Sequence, residues 1–478
     1  MTADGVAAAA AAELRRVLHP SRVHTDATEL GLYRRDASSI DGRAAIVCFP
    51  TDTAEVQDCV RVAARYGLPF VARGAGTGLA GGAVPLDGAV VIVTTKMNRV
   101  VSVDPVHRLA WVQPGVLNLD LTREVAVHGL HFAPDPSSQQ SCSIGGNVAN
   151  NSGGPHCLAD GVTASHVLAV EVVLADSSVA MLGGEDPEPP GLDLRGTFVG
   201  GEGMLGIATL ICVRLTQSPP AVRTMLMDFE SVEDGARTVS AVIAAGMVPA
   251  ALEMMDRLCI EAVEAYIGAG LPTDAAAVLL VEVSGLRHGV DADTARIIDI
   301  GVAHGARTVR VAQDEAERQL LWKGRKTAFG AVARIKPNYY LHDTVVPRRA
   351  LPEVLRRVYE ISERHQLMVL NVFHAGDGNL HPLLVFDKRE PGVMERVHAA
   401  GEEIVRVSVE FGGVLSGEHG IGLEKRDLMP LMFSPDDLAA QEALREAFDP
   451  DRRANPWKVL PSPAACGDLQ HVPDGAWV

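Results

Sequence analysis

Short apolar runs and amphipathic stretches alternate near the start of the chain. The apolar run at 45–49 predicts a strand, the spacing of apolar residues over 52–66 predicts a helix, and a second apolar run at 69–72 predicts another strand. Thr51 or Thr53 is the predicted N-cap of the helix, because its hydroxyl can accept from a free backbone N–H of the first turn. A strand, a helix and a strand in this order predict a βαβ unit and a partly parallel sheet.

The same patterns predict further strands and helices along the chain. Before residue 220 the apolar runs predict strands at 89–94, 109–112 and 167–174. Beyond it they predict strands at 224–229 and 277–283 and helices at 232–245 and 291–304. Strands that alternate with helices in this second half favour an α+β domain with a mostly antiparallel sheet.

Proline and glycine positions predict the domain boundaries. Pro219 and Pro220 interrupt the pattern between the two halves, and the stretch beyond Pro461 holds two more prolines and little apolar content. The predicted organisation is an N-terminal helical segment (1–45), a first domain (46–220), a second domain (221–430), a C-terminal segment that returns to the first domain (431–461), and a poorly ordered tail (462–478).

Three glycine-rich segments lie in the first domain, at 73–82, 144–154 and 200–207. The first contains G-x-G-x-x-G at 76–81, the fingerprint of dinucleotide-binding loops. That fingerprint requires a helix directly after the loop, and the next predicted element is the strand at 89–94. The pattern therefore excludes a Rossmann site. Backbone amides in such segments can bind anions, so three of them predict loops around a large phosphorylated ligand.

Composition and charge exclude several classes of protein. The chain is 47% hydrophobic and 22% charged, with a formal net charge of −17, which argues against a nucleic-acid partner. Seven scattered cysteines without a C-x-x-C pair predict a reduced, cytoplasmic protein without iron–sulfur ligation. The alanine run at 7–12 favours an amphipathic helix over a signal peptide, and no apolar run predicts a membrane span.

Two glycine-rich turns carry the residues best suited to a metal. His374 and His381 flank one turn, and Glu418 lies in the second, followed by a spare histidine, His419. Two imidazoles and one carboxylate leave coordination positions open, as a catalytic metal requires. The alternative is a glycine turn with two polar histidines at its ends.

Motifs in a fixed order along the chain resemble those of one flavoprotein superfamily. The chain resembles the vanillyl-alcohol-oxidase type of FAD-binding flavoproteins and, within it, the FAD-linked D-2-hydroxyacid dehydrogenases. It is most similar to the flavin subunits of glycolate oxidases, with D-lactate and D-2-hydroxyglutarate dehydrogenases as near relatives. The resemblance rests on the segments RGAGTGL at 73–79, IGGN at 144–147, NSGG at 151–154, WKGRK at 322–326, HAGDGNLH at 374–381, SGEHG at 416–420 and NPWK at 455–458.

The resemblance implies a fold and an activity. The implied fold is α+β: a two-part vanillyl-alcohol-oxidase-type FAD-binding domain plus an α+β substrate (cap) domain with a mainly antiparallel sheet. The implied activity is FAD-dependent, metal-assisted oxidation of a small D-2-hydroxy acid, glycolate or D-lactate, by hydride transfer to flavin N5. Alternatives are a D-2-hydroxyglutarate dehydrogenase, a non-redox flavoenzyme of ether-lipid synthesis on the same fold, a flavin-free metallohydrolase, and a scaffold subunit that carries FAD.

The resemblance also implies which residues contact FAD. The pyrophosphate cradle would be Arg73, Gly74, Ala75, Gly76, Thr77, Gly78 and Leu79. The flavin and ribityl chain would be lined by Pro134, Asp135, Ser143, Ile144, Gly145, Gly146, Asn147, Ala149, Asn150, Ser152, Gly153 and Gly154. The adenosine part would contact Glu202, Gly203, Gly206 and Ile207, and the isoalloxazine would lie near Asn455. Relatives with covalent FAD carry a histidine at the position of Thr77, so the implied FAD is non-covalent.

Catalytic roles are implied in the same way. His374, His381 and Glu418 would hold a divalent metal, with zinc or manganese favoured, while His419 would be the general base and Arg325 would bind the substrate carboxylate. Each role has an alternative: Arg325 on a solvated helix face, His419 as a hydrogen-bond donor beside the metal, and His342 or Asp343 as base or ligand.

One departure from the family concerns substrate size. The 2-hydroxyglutarate enzymes place a lysine near the position of Leu341, and Lys336 is offset from it, so a two-carboxylate substrate is disfavoured.

Partners follow partly from the resemblance. A small 2-hydroxy acid is the expected substrate. Because the chain has no iron–sulfur ligand set, its electrons would pass to an acceptor or to an iron–sulfur partner subunit. A homo-oligomer remains open, and any membrane association would go through a partner, without direct insertion.

Overall fold

The computed structural model describes residues 2–38, 40–186 and 190–461. The strands are β1 (Val23–His24), β2 (Ala44–Cys48), β3 (Phe70–Arg73), β4 (Ala89–Val93), β5 (Val100–Asp104), β6 (Leu109–Val112), β7 (Leu130–His131), β8 (Val167–Val173), β9 (Val179–Gly183), β10 (Ile207–Arg214), β11 (Thr216–Gln217), β12 (Ala221–Phe229), β13 (Ala251–Asp256), β14 (Ala277–Gly285), β15 (Ala306–Val311), β16 (Asn338–Leu341), β17 (Thr344–Val345), β18 (Met368–His374), β19 (Asn379–Leu380) and β20 (Pro382–Phe386).

The helices connect these strands. They are α1 (Ala3–Val17), α2 (Ala27–Leu32), α3 (Thr53–Arg65), α4 (Asn118–Val125), α5 (Ile144–Asn150), α6 (Cys157–Asp160), α7 (Leu194–Phe198), α8 (Val232–Ala244), α9 (Arg257–Ile267), α10 (Arg287–Ala303), α11 (Glu315–Lys326), α12 (Ala328–Val332), α13 (Leu351–Arg364), α14 (Val393–Glu410) and α15 (Pro435–Phe448).

The chain divides into two compact units. Unit 1 comprises residues 2–153, 162–218 and 418–461 of the described chain, and unit 2 comprises 154–161 and 219–417. One boundary follows Ser218, directly before the proline pair. Two segments differ from the organisation expected from the sequence: 154–161 groups with unit 2, and 418–430 groups with unit 1. The predicted tail at 462–478 lies outside the described residues.

The first sheet of unit 1 contains the predicted βαβ unit. Its strand order is β1-β2-β4-β3, and both β2 and β3 run parallel to β4, which lies between them. The parallel arrangement predicted from the sequence is therefore confirmed. The predicted N-cap is wrong: the residue that caps α3 is Asp52, whose carboxylate accepts from the N–H of Glu55 at 2.9 Å. A carboxylate at this position also interacts favourably with the helix dipole.

A second sheet of unit 1, with strand order β5-β6-β10-β8-β9, is antiparallel. Its apolar face packs with α4 and α5 in one core that includes Leu121, Ile144, Val148, Val170 and Ile211. The second glycine-rich segment is therefore not the loop that the sequence predicted, because most of it forms α5. The Ser143 hydroxyl caps this helix by accepting from the N–H of Gly146 at 3.3 Å.

Unit 2 is built on an antiparallel sheet, as predicted. Its strand order is β15-β12-β14-β13-β18-β19-β17, with β20 pairing with β18 and β16. Helices α8, α10, α13 and α14 contribute to the core of this unit, which includes Val239, Ile297, Val354 and Ile404. The sheet places Glu253 of β13 directly opposite His374 of β18.

No helix among the described residues is both long enough and apolar enough to cross a membrane.

Candidate functional site

Arg73 ends β3 and begins the first glycine-rich segment. Its guanidinium carbon lies 5.4 Å from the centre of the Tyr33 ring, and burial lowers its pKa below the usual value. Gly76 has φ +73°, and a Cβ there would lie 2.2 Å from Nη2 of Arg73, so the loop turns closely around the guanidinium. Nη1 of Arg73 is buried without a protein hydrogen-bond partner. The charge and the unsatisfied donor fit an anionic group of a ligand.

Gly74 brings the first glycine-rich segment against the start of α5. A Cβ on Gly74 would lie 2.3 Å from the Ser143 hydroxyl, and a Cβ on Gly145 would lie 2.6 Å from Cβ of Pro114. Both contacts require glycine. The structure thus brings together two segments that the sequence assigned to one ligand, although they are far apart in the chain.

Polar side chains fix the surroundings of α5. The side-chain nitrogen Nδ2 of Asn118 donates to the side-chain oxygen Oδ1 of Asn147 and to the backbone oxygen of Pro134, both at 2.9 Å. The side chain of Asn150 donates to the backbone oxygen of His419 at 2.9 Å. This bond connects α5 to the start of segment 418–461, the last part of unit 1. The side chain of Ile144, in contrast, lies in the apolar core, so only its backbone can face a ligand.

The third glycine-rich segment presents a buried carboxylate. Glu202 has φ +47°, and its Oε1 accepts from the N–H groups of Ile421 at 2.7 Å and Gly422 at 3.2 Å. Its Oε2 is buried and has no hydrogen-bond partner within the described residues. Asn455 donates to the backbone oxygens of Glu202 and Gly82, while its own side-chain oxygen is buried and likewise accepts no hydrogen bond from any described residue. These two oxygens are therefore available to accept from a ligand.

Lys458 is a buried cation in the same unit. It is fully buried, and its Nζ donates to the backbone oxygen of Val84 at 2.8 Å. Burial lowers the pKa of Lys458 to about 7, against the opposing effects of Asp36 and Glu202. Burial likewise raises the pKa of Glu202 to about 7. Unit 1 thus contains an acid and a base that both change charge near neutral pH.

The pKa of Glu202 predicts a pH-dependent stability. Its folded-state pKa lies above the ordinary value of 4.5, so its contribution is fully present below about pH 4.5 and is lost as the pH rises through about 7. The loss is on the order of 3 kcal/mol, since one pKa unit corresponds to about 1.4 kcal/mol. We therefore expect Glu202→Gln to gain thermal stability relative to the parent between pH 5 and pH 7.5, measured as the change in Tm.

The control for this prediction is Glu124→Gln, which removes an exposed carboxylate from the same unit. This variant is expected to follow the parent protein at both pH values. Equal Tm differences between the Glu202→Gln variant and the parent at pH 5 and pH 7.5 would show that Glu202 does not titrate in this range.

Two histidines of unit 2 lie side by side. His374 ends β18 and His381 stands between β19 and β20, and their ring centres are 5.0 Å apart at an interplanar angle of 80°. The turn between the strands depends on Gly378, which has φ +73° and whose Cβ would lie 2.2 Å from the backbone oxygen of Val346. The short hairpin therefore brings together two imidazoles that are seven positions apart, as predicted.

Glu253 connects His374 to Arg325. Its carboxylate oxygens lie 2.8 and 2.9 Å from Nδ1 of His374, and Oε2 lies 2.6 Å from Nε of Arg325. All three side chains are buried, with Arg325 only 1% exposed. The solvated-helix alternative for Arg325 is therefore wrong. The predicted catalytic arginine is held in a buried ion pair on α11.

Asp343 stands beside His381. Its Oδ1 lies 3.5 Å from Nε2 of His381, and the carboxylate accepts from the Ser416 hydroxyl at 2.6 Å and from the N–H of Gly417 at 3.0 Å. Gly417 ends unit 2, and the next residue, Glu418, begins the last segment of unit 1. Within unit 1, Oε1 of Glu418 lies 3.7 Å from Nε2 of His419.

The structure also shows where several other residues of the implied FAD-binding set lie. Gly154 belongs to unit 2, where its N–H lies 3.0 Å from Sγ of Cys157. The side chain of Ile207 is in an apolar core, and Gly206 approaches β8 so closely that a Cβ would lie 2.7 Å from the Val172 side chain. The remaining loop positions stand in irregular backbone after β3 and before α5: Ala75, Thr77, Gly78, Leu79, Pro134 and Asp135.

Glu253 is the residue that the sequence interpretation missed. The signal was present in the strand Ala-Leu-Glu-Met-Met at 251–255, where a single acidic residue interrupts an apolar run. A lone carboxylate in such a strand must be paired, because an unpaired buried charge is costly. The partner could not be named until α11 and β18 were placed.

Two family models match the chain. The model for the FAD binding domain matches residues 44–183, and the model for the C-terminal domain of FAD linked oxidases matches residues 218–459. The second match alone covers about half of the chain. The chain belongs to the FAD-linked oxidase family. It is a flavoprotein oxidoreductase that binds FAD, as the resemblance predicted.

Curated relatives cover nearly the full length. The chain is 46% identical over 456 residues to the glycolate oxidase subunit GlcD of Escherichia coli K12, covering 95% of this chain and 91% of that one. It is 39% identical to the GlcD subunit of Bacillus subtilis, covering 87% and 88%. It is 30% identical to a D-lactate dehydrogenase of Anaerostipes hadrus, covering 93% and 94%.

Solved structures share the fold at lower identity. A 4-ethylphenol oxidase from Gulosibacter chungangensis superposes with a TM-score of 0.79 at 21% identity, covering 96% of this chain and 98% of that one. An alkyldihydroxyacetonephosphate synthase superposes with a TM-score of 0.74 at 16% identity, covering 94% and 85%. These similarities establish the vanillyl-alcohol-oxidase-type fold predicted from the sequence.

Proposed function

We propose that this chain oxidises a small D-2-hydroxy acid, glycolate or D-lactate, to the corresponding 2-oxo acid with FAD as the electron acceptor. The names of the relatives support hydroxy-acid chemistry. The observation that carries the proposal is the buried group of Arg325, Glu253 and His374 beside His381 in unit 2. This group combines a cation suited to a carboxylate with imidazoles suited to a metal.

The residues of unit 1 fit FAD. Arg73 offers a buried guanidinium with an unsatisfied donor, and Asn455 offers a buried acceptor. Gly74 and Gly145 allow backbone to approach where any side chain would collide. We assign the dinucleotide to these three glycine-rich segments, including the residues that the resemblance implied. Bound flavin supplies the hydride acceptor, and the protein supplies position and electrostatics.

The donors at the β18–β19 hairpin fit a divalent metal. His374 and His381 present two imidazoles at close range, and Glu418 is one peptide bond beyond Gly417, whose N–H is bound to Asp343 beside His381. We assign His374, His381 and Glu418 as ligands, with zinc or manganese favoured, since nitrogen and carboxylate donors suit both metals. A bound metal would lower the pKa of a substrate hydroxyl.

Two residues are assigned to the substrate itself. Arg325 would hold the C1 carboxylate, because a guanidinium can make two parallel hydrogen bonds to it. His419 would accept the hydroxyl proton, since a neutral imidazole is a competent base near pH 7. The backbone oxygen of His419 accepts from Asn150, and this bond would help to fix the imidazole.

The surroundings of Leu341 favour a monocarboxylate. Leu341 lies in β16 opposite Leu383 and is 8% exposed, so it offers no charge to a distal carboxylate. The neighbouring Lys336 already binds Oε1 of Glu390 at 2.9 Å. A buried carboxylate without a partner would cost several kcal/mol. A substrate with one carboxylate avoids that cost.

This reasoning predicts the substrate order. Glycolate or D-lactate should give a higher kcat/KM than D-2-hydroxyglutarate, and L-2-hydroxy acids should be poor substrates, in a steady-state assay of dye reduction with a panel of D- and L-acids. Metal removal by a strong chelator should abolish the activity while the absorbance of bound flavin near 450 nm persists.

Each outcome of this panel has a distinct meaning. D-2-hydroxyglutarate as the best substrate would mean that Lys336 or another cation reaches the distal group. Unchanged rates after chelation, with no metal found by elemental analysis, would contradict the metal assignment. No reduction of dye by any 2-hydroxy acid would favour the non-redox alternative of the same fold.

FAD should be held without a covalent bond. Thr77 stands where covalently flavinylated relatives carry a histidine, and its hydroxyl is not suited to that linkage. Precipitation with trichloroacetic acid should therefore release all the yellow colour into the supernatant. Colour retained in the washed pellet would contradict this assignment.

We further propose that reduced flavin passes its electrons to a partner rather than to oxygen. The E. coli and B. subtilis relatives are named as subunits, which supports a multi-subunit assembly. Within the part of the chain that the structure describes, no cysteine belongs to a cluster of potential metal ligands such as an iron–sulfur centre requires. We expect reduced flavin to be reoxidised by air much more slowly than the protein turns over with an artificial acceptor. Reoxidation by air at the rate of turnover would contradict this proposal.

A further inference from the structure

Glu253 occupies a special position in the sheet of unit 2. It lies on β13 directly opposite His374 of β18, with the apolar residues Leu252 and Met254 on either side in its own strand. Its carboxylate meets an imidazole nitrogen and a guanidinium nitrogen at once. Charged residues are rare in apolar strands, because burying a charge is costly unless it is paired. The position of Glu253 therefore suggests that its carboxylate has a function.

We propose that Glu253 is a positioning residue that fixes His374 with its proton on Nδ1 and its lone pair on Nε2, the nitrogen assigned to the metal, while it orients Arg325 for the substrate. This inference rests on the proposed function, since it concerns the same metal and substrate groups.

The hydrogen-bond geometry supports the first half of the proposal. An ionised carboxylate can only accept, so the 2.8 Å contact requires the proton of neutral His374 to be on Nδ1. The lone pair is then on Nε2, and this is the nitrogen that a metal would bind. Histidine ligands in metal sites are commonly held in this way by a carboxylate on the second ring nitrogen.

The ion pair with Arg325 supports the second half. Nε of Arg325 is 2.6 Å from Oε2 of Glu253, so the carboxylate engages the side of the guanidinium nearest its aliphatic stem. Nη1 is buried and has no hydrogen-bond partner among the described residues. Nη2 lies 3.5 Å from Nδ1 of His374, the ring nitrogen that Glu253 also contacts. Nη1 is therefore the terminal nitrogen that can bind an anion.

A purely structural ion pair is the competing explanation, and the same unit offers a matched control. Glu282 of β14 is also a buried carboxylate bound to an arginine of α11: it accepts from Nε and Nη2 of Arg318, each at 2.9 Å. It also accepts from Trp322 at 2.6 Å and from Thr224 at 2.6 Å. These partners do not include His374 or Arg325, so the loss of the Glu282 carboxylate should affect folding alone.

The experiment measures metal binding rather than turnover. Full-length protein with FAD bound is stripped of metal by a chelator, and the affinities for Zn²⁺ and Mn²⁺ are measured by equilibrium dialysis for the parent, Glu253→Gln, Glu253→Asp and Glu282→Gln. Glu253→Gln should weaken both affinities by about ten- to a hundredfold, the usual effect of losing such a partner. Glu253→Asp should fall between, and Glu282→Gln should bind as the parent does.

A second readout needs no variant of Glu253. In ¹⁵N-histidine-labelled parent protein, two-bond ¹H–¹⁵N correlation at a pH where the ring is neutral should show His374 with its proton on Nδ1, its signal being assigned by its absence from the His374→Gln variant. A proton on Nε2 would overturn the proposal. So would metal affinities of a folded Glu253→Gln variant that equal those of the parent, or an equal weakening in Glu282→Gln.

The two readouts separate this inference from the proposed function. If the parent protein binds neither metal, the metal-assisted function fails, and the tautomer of His374 alone then decides the role of Glu253. If the parent binds metal but Glu253→Gln binds it equally well, the positioning role fails and the metal site stands. Flavin absorbance and Tm, recorded for every variant, identify any that lose their fold.

Discussion

Replacing His374 with alanine is expected to leave FAD in place and to remove most turnover. Apart from Gly154, the residues assigned to FAD lie in unit 1, whereas His374 is a residue of unit 2. A metal that stabilises developing charge contributes several kcal/mol, and each 1.4 kcal/mol is about tenfold in rate, so kcat should fall by at least about a hundredfold. The measurements are flavin absorbance, metal content and kcat on the same preparation.

His304→Ala provides the control for this prediction. His304 caps the end of α10 in the same unit, where its Nδ1 contacts the backbone oxygen of Ile300 at 2.9 Å. Its replacement should change neither metal content nor kcat. His374→Ala protein that keeps full turnover, or that loses FAD along with its activity, would contradict the assignment of His374 as a ligand.

Arg325→Ala is expected to lower both catalysis and stability. A charge-assisted hydrogen bond is worth roughly 1.5–3 kcal/mol, so loss of the contact with the substrate carboxylate should reduce kcat/KM by about ten- to a hundredfold or more. Removal of one partner from a buried ion pair costs about 3–5 kcal/mol, because the Glu253 carboxylate would stay buried without its cation. The activity should therefore be measured well below the lowered Tm.

Two further variants separate these effects. Arg325→Lys keeps a positive charge but loses the two-point geometry, so it should recover only part of kcat/KM. Arg318→Ala removes the arginine partner of Glu282 from the same helix, and it should lower Tm while kcat/KM is preserved. If Arg325→Ala and Arg318→Ala reduce kcat/KM equally, Arg325 acts through the fold and not through the substrate.

Much of the fold could be predicted because many apolar runs and proline positions in the sequence agree with the strands and the unit boundary of the folded chain. The run at 109–112 is a strand with these bounds, and the prolines at 219–220 mark a unit boundary. Asp52 was missed as the N-cap because Thr51, Asp52 and Thr53 are all residues that commonly cap helices. Only the backbone conformation shows which of them directly precedes the first helical residue. The helix at 144–150 was missed because its glycines have low helix propensity, which packing of Ile144 and Val148 overrides.

The local sequence pattern alone predicts only the part of the candidate site whose residues are close in sequence, whereas the role of Arg325 was implied by the resemblance. His374 and His381 flank one turn, so the hairpin could be foreseen. The partner of Arg325 could not, because Glu253 is on another strand and reaches the arginine only through the pairing of β13 with β18. The order in which antiparallel strands pair is a property of the whole sheet, and no local pattern encodes it.

The discontinuity of unit 1 has a consequence for synthesis. The segment 418–461 completes this unit: the N–H of Asn455 donates to the backbone oxygen of Phe70 on β3, and the fully buried Lys458 donates to Val84. A ribosome makes that segment only after the whole of unit 2. Nascent chains that end before Asn455 therefore lack both Asn455 and Lys458. Such chains have an incomplete FAD-binding site. Flavin uptake should accordingly follow release of the chain, and prematurely terminated chains should emerge colourless.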